Sequence, residues 1–169
     1  MTDITRRGLL AGAAALAAMP ALPAQARTAG AGYVAQVQVL KEARRLVLLD
    51  SGKRILKTYP VHLGRRPTGP KRFEGDSRTP EGQYRIAARN PASAFYRSLR
   101  LDYPNRIDLA QARRLGKPPG GDIMVHGQPN GVRHTLEGDW TQGCVALANA
   151  HMDELWDVVP VGCPILIFP

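Results

Sequence analysis

The chain reads as a mainly β domain with one or two helices, and three observations predict it. Apolar residues alternate with polar ones at Tyr33, Ala35, Val37 and Val39 and again from Arg54 to Val61, the period of a half-buried strand. Between them Arg45 to Leu49 is a short apolar run ending in Asp50-Ser51-Gly52-Lys53, which is turn chemistry, so the two flanking segments form a hairpin. Only near the end does a clear helical stripe occur, with Met152, Leu155, Trp156 and Val159 on one face.

The remaining elements follow in order. Gly64 to Gly82 is dense in Gly, Pro, Lys and Arg and reads as a long loop, which in a compact domain is usually functional. Strands resume at Gln83 to Ala88 and at Ser98 to Leu101. Asn105 to Leu115 suits a helix with Asn105 as its cap and Gly116 as its stop. Lys117 to Gly121 is loop, Ile123 to His126 a short strand, and Asn130 to Asp139 loop again. Asn149 is the expected cap of a last helix over Ala150 to Val159, which Pro160 ends, and Pro164 to Phe168 is a closing strand.

The first 26 residues read differently. Arg6-Arg7 followed by an Ala-rich apolar stretch and by Ala24-Gln25-Ala26 has the form of a twin-arginine signal peptide, cleaved before Arg27. Residues 27–32 are then a flexible lead-in, and residues 33–169 form one domain, large enough to bury a core. With 44% hydrophobic and 22% charged residues the composition is globular. Removing the signal takes away Arg6, Arg7 and Asp3, so the formal charge of +9 falls by only one. A basic exported protein suits an anionic partner such as cell-wall polymer. Export to the periplasm argues against nucleic acid, and with 6% aromatic residues there is no stacking platform. No apolar run outside the signal approaches the roughly 18–20 residues of a membrane span.

Cys144 is the candidate nucleophile. It follows Gly143 in Thr141-Gln142-Gly143-Cys144-Val145, where a glycine permits a tight turn and the amides near Gly143 and Cys144 can face an oxyanion. A thiol attacks as thiolate and needs a base, for which His126, 18 residues earlier at a strand end, is the candidate. His62, His134 and His151 have weaker claims, though His134 is close enough in sequence to line the site. Taken alone, the residues leave catalysis open, since a Cys and His pair occurs in many proteins that do nothing with it. A disulfide between Cys144 and Cys163 is the competing expectation in an oxidising compartment. No pair of Cys or His stands at zinc spacing, and nothing implies a metal or another cofactor.

His126-Gly127 followed by Thr141-Gln142-Gly143-Cys144-Val145 resembles the signature of the YkuD-type L,D-transpeptidases. Gly69-Pro70-Lys71, Gly75-Asp76 and Thr79-Pro80-Glu81-Gly82 resemble the loop that precedes a strand in that family. Tyr103-Pro104-Asn105, Pro119-Gly120-Gly121-Asp122 and Asp139-Trp140-Thr141 are similar to its YafK-like branch, and the likeness covers residues 33–169. One departure is Ala146, where most of the family carries arginine. The resemblance implies a β-sandwich with Cys144 and His126 at a sheet edge under a loop. It implies attack by Cys144 on the diaminopimelate L-centre carbonyl of a peptidoglycan stem peptide, through a thioester, with His126 as base and then acid. His126 would be oriented by the carbonyl of Gly127, with Asp122 and Asp139 as alternatives. Trp140 and Thr141 would shape the pocket, and Arg133 would meet a substrate carboxylate. Cys163 is expected free. The family also implies two further outcomes, attachment of a lipoprotein to the wall and its release by hydrolysis. A wall-binding module without catalysis is the alternative from another class. An NlpC-type peptidase fits poorly, since its Cys precedes its His.

Overall fold

A computed structural model of the chain describes residues 33–169, so the expected signal peptide and lead-in lie outside the described residues. Eight strands and two helices follow one another: β1 (Gln36–Leu40), β2 (Arg45–Leu49), β3 (Ile55–Pro60), β4 (Gly82–Ser93), β5 (Tyr96–Leu101), α1 (Arg106–Arg114), β6 (Met124–His126), β7 (Val145–Ala146), α2 (Asn149–Val158) and β8 (Pro164–Phe168). The class is mainly β, with both expected helices present.

The strands hydrogen-bond in the order β3-β2-β1-β8-β4-β5-β6-β7. The β1–β8 and β6–β7 pairs are parallel and the rest antiparallel. Val37 and Val39 are buried opposite Ile165 and Ile167 while Gln36 and Gln38, on the other face, are only half-buried, the alternation expected of a strand with one face in the core. The twelve residues of β4 belong to two sheets. Gly82 to Arg85 pair with β8, and Ile86 to Ser93 pair with β5 across two register shifts. Such irregularities bend a strand, and the far end of the order is tied back where His62 and Ala146 exchange backbone hydrogen bonds at 2.9 and 2.8 Å. The core lies between these surfaces, with Leu46, Leu63, Ile165, Val145, Leu147 and Met152 fully buried. Burial of each such side chain contributes about 1.5–3 kcal/mol.

The sequence-based boundaries shift in three places. β4 runs on through Asn90 and Pro91, and Pro91 is tolerated because the ladder skips from Asn90 to Ser93. β7 has two residues, too short for any period to reveal. Asn149 is not the cap of α2: Ala148 is, without a side-chain hydrogen bond. The Asn149 amide oxygen is committed elsewhere, accepting from Gln128 N–H at 2.8 Å and so tying the chain just after His126-Gly127 to the helix start.

α1 begins as expected. Asn105 Oδ1 accepts from the Ile107 and Asp108 amides at 2.8 and 3.2 Å, and Asp108 returns a bond from Asn105 N–H at 2.9 Å, a complete capping box. Burial pushes the Asp108 carboxyl above its ordinary range, against the bonds from Asn105 and Tyr84. Asn105→Ala is expected to cost about 1 kcal/mol in urea unfolding; an unchanged midpoint would mean that tertiary packing alone holds this helix.

Candidate active site

The end of β6 and the start of β7 lie side by side, with His126 opposite Ala146. Cys144, immediately before β7, therefore opens into the same pocket as His126. That pocket has a volume of about 630 Å³, and Arg65, Phe95, Asp122, Met124, Trp140 and Gln142 complete much of its wall. Asn90, Ser93 and Ala94 extend the wall along the β4–β5 hairpin.

His126 is buried (3% exposed) and held on three sides. Its Nδ1 lies 2.7 Å from the carbonyl oxygen of Gly127. A carbonyl only accepts, so Nδ1 carries the proton and Nε2 keeps the basic lone pair. The Phe95 ring is 4.7 Å away and the Trp140 ring meets it edge-on at 5.7 Å. Burial lowers the imidazole pKa below its ordinary 6.5, against the Gly127 hydrogen bond.

Cys144 is half-buried, and its Sγ faces the carbonyl oxygen of Asp122 at 3.5 Å. Burial raises the thiol pKa above its ordinary 9.0; the Met124 backbone hydrogen bond and the Lys71 charge pull it down, while the Asp122 charge adds to the rise. Among the described hydrogen bonds none joins Cys144 to His126. Both shifts favour the neutral forms, and the two side chains face one pocket.

The turn before Cys144 is built from Gly143 and Thr141. Gly143 has φ +132°, and a Cβ there would sit 2.6 Å from the Arg78 carbonyl oxygen, so only glycine fits. Thr141 is a strut: its hydroxyl donates to Cys144 O at 2.8 Å and accepts from Gly143 N–H at 3.1 Å, while its backbone pairs with Leu63 and Arg65. The Gly143 amide is thus spoken for. The Cys144 amide has no acceptor among the described hydrogen bonds, which leaves it as the donor free to face the pocket.

Several expectations need correction. Arg133 and His134 are exposed and do not line the pocket; the cation on its wall is Arg65, whose Nε donates to Trp140 O at 3.2 Å. Neither Asp122 nor Asp139 orients His126. Asp139 accepts from Leu63 N–H at 2.8 Å and from Arg44 Nη2 at 2.8 Å, and Asp122 contributes its carbonyl to the thiol instead. Cys163 is free as expected, and so is Cys144; Cys163 is buried just before β8 with its Sγ 3.6 Å from Pro164 O. His62 takes up the backbone pairing with Ala146, and its Nδ1 lies 2.8 Å from Gly138 O, outside the pocket. Ala146 itself is fully buried, so the position that departs from the family pattern is core here and not pocket wall. Among the described residues no group of three His, Cys, Asp or Glu is placed to hold a metal ion, and no helix is long and apolar enough to cross a membrane.

The chain has known relatives. The chain is 27% identical over 133 residues to YafK of Escherichia coli K12, a provisionally assigned L,D-transpeptidase, covering 76% of the chain and 48% of YafK. It is similar to the crystal structure of the helical cell shape determining protein Pgp2 of Campylobacter jejuni (TM-score 0.64, 30% identity, 80% of this chain and 48% of that one). Bd1075 of Bdellovibrio bacteriovorus is similar as well (TM-score 0.56, 28% identity, 80% and 48%). The chain spans about half the length of these relatives. Residues 35–167 match the model of the L,D-transpeptidase catalytic domain, YkuD, and the chain belongs to that family.

Proposed function

We propose that the protein is a peptidoglycan L,D-transpeptidase of the periplasm in which Cys144 is the nucleophile and His126 its base. The observation that carries this reading is the convergence of the two side chains on one pocket, with His126 Nδ1 committed to Gly127 O and Nε2 left basic. His126 removes the thiol proton as Sγ attacks the carbonyl at the diaminopimelate L-centre of a stem peptide. The developing oxyanion faces the Cys144 amide, since the Gly143 amide is occupied by Thr141. Collapse expels the terminal amino acid as its free amine, protonated by the imidazolium, and leaves a thioester on Cys144. An amine from a second stem then takes the acyl group and forms a cross-link. Phe95 and Trp140 shield the imidazole from water, and Arg65 presents a cation to the carboxylates of the stem. The high positive charge of the chain suits the anionic polymer.

The thioester is directly observable. Mixed with tetrapeptide-bearing muropeptides, the protein is expected to gain the mass of the donor less its terminal amino acid, mapped by digestion to the Cys144 peptide. Addition of an amine acceptor should discharge it into a cross-linked product. Discharge by water alone, or release of lipoprotein from lipoprotein-bearing wall, would make the enzyme a hydrolase with the same acyl intermediate. Absence of both adduct and product would overturn the nucleophile assignment.

A further inference from the structure

The loop before β4 contains a buried ion pair that the acyl-transfer steps do not use. Lys71 and Asp76 are 4% and 3% exposed and meet at 2.9 Å. Burying two charges is costly even when they are paired, and a neutral pair could close a simple turn. Here the pair organises the whole loop. Asp76 accepts from the backbone amides of Arg72, Phe73 and Arg78 at 2.6, 3.3 and 3.2 Å, and Lys71 Nζ also donates to Phe73 O at 3.0 Å. Residues 71–78 are thereby wound around one carboxylate.

The loop so fixed touches both segments that flank Cys144. On one side the Arg78 carbonyl abuts the nucleophile turn at Gly143, and the Ser77 carbonyl abuts Gly64, which packs beside that turn. A Cβ at Gly64 would come within 2.3 Å of Ser77 O and 3.1 Å of Gly143 Cα, and one at Gly143 within 2.6 Å of Arg78 O. On the other side Glu74 N–H donates to Pro118 O at 2.9 Å, and Lys117 Nζ lies 3.9 Å from the centre of the Phe73 ring. That second segment leads into Asp122, whose carbonyl oxygen faces the thiol. Arg65 and His126 share the pocket of the sulfur.

We propose that Lys71 and Asp76 position the nucleophile: the pair clamps the 71–78 loop between the two segments flanking Cys144. The proposal rests on Cys144 being the nucleophile, but its test does not require turnover. The alkylation rate of Cys144 by iodoacetamide, followed by mass spectrometry of the Cys144 peptide, reports the thiol at each pH whatever reaction the enzyme catalyses. In Lys71→Met, which breaks the clamp, the Cys144 alkylation rate is expected to change by about threefold or more as the loop loosens around the sulfur. With substrate, kcat should fall by about tenfold or more while KM stays within about twofold, the pattern of a misplaced reacting group. Lys71→Arg, which keeps the pair with Asp76, should hold the parent alkylation rate, and it carries the test if Lys71→Met does not fold. A parent alkylation rate in folded Lys71→Met, or a changed one in folded Lys71→Arg, would overturn the proposal. Failure of transpeptidation with the changed alkylation rate in place would instead overturn only the assigned reaction.

Discussion

Cys144→Ala is expected to abolish turnover of stem peptides, by a factor on the order of 10⁴ or more in kcat, while leaving the fold and the affinity for peptidoglycan in place. The side chain is half-buried, and its polar contacts are to the Asp122 carbonyl and the Met124 amide. Truncating it removes the group that forms the thioester and little of the packing. Cys163→Ala is the matched control: that thiol is buried just before β8, away from the pocket lining, and its loss should leave kcat near the parent value. Quantifying cross-linked muropeptides with both variants separates the two thiols. Activity within tenfold of the parent in Cys144→Ala would overturn the nucleophile assignment; no cross-linked product from either protein would make a non-catalytic wall-binding module the better account, because such a module needs the basic surface and not the sulfur.

Much of the fold was legible because it depends on periodicity and on local caps. The alternation at Val37 and Val39, the turn at Asp50 to Lys53 and the Asn105 capping box each act within a few residues, so their signal survives in one dimension. Cys144 and His126 were legible as a pair because each sits at the border of a short apolar run, and the strands they flank turn out to be neighbours. What escaped depends on contacts between distant loops. Arg65 reaches the pocket through backbone pairing of its loop with Thr141, whereas Arg133, nearer in sequence to both site residues, is carried away from it. Asn149 looks like a helix cap in any local reading, yet Gln128 N–H, 21 residues away, claims its oxygen. Asp122 and Asp139 look alike as charges near the motif. Only the tertiary arrangement assigns one a carbonyl at the thiol and the other a carboxylate at Leu63 and Arg44.

The pH dependence of kcat/KM tests whether thiol and imidazole begin neutral. Burial lowers the pKa of His126 below 6.5 and raises that of Cys144 above 9.0. Protonating His126 removes the base, so the rate is lost as pH falls through the lowered imidazole value, and the acid limb should lie below 6.5. Ionising Cys144 at high pH supplies the nucleophile without a base but removes the proton that His126 relays to the leaving amine, so the alkaline limb should lie above 9.0. A preformed thiolate–imidazolium pair predicts otherwise: thiolate absorbance near neutrality, and a loss of rate already at lower pH as the imidazolium gives up its proton. His126→Ala distinguishes the two in a single series. Near neutral pH its rate should drop by about 10²–10⁴, the usual contribution of a positioned base. Its residual rate should then climb tenfold per pH unit toward the raised thiol pKa, because only spontaneous ionisation remains to make the nucleophile. A residual rate that is flat between pH 6 and 8 would mean that the thiolate exists without His126, and the general-base role would have to be withdrawn.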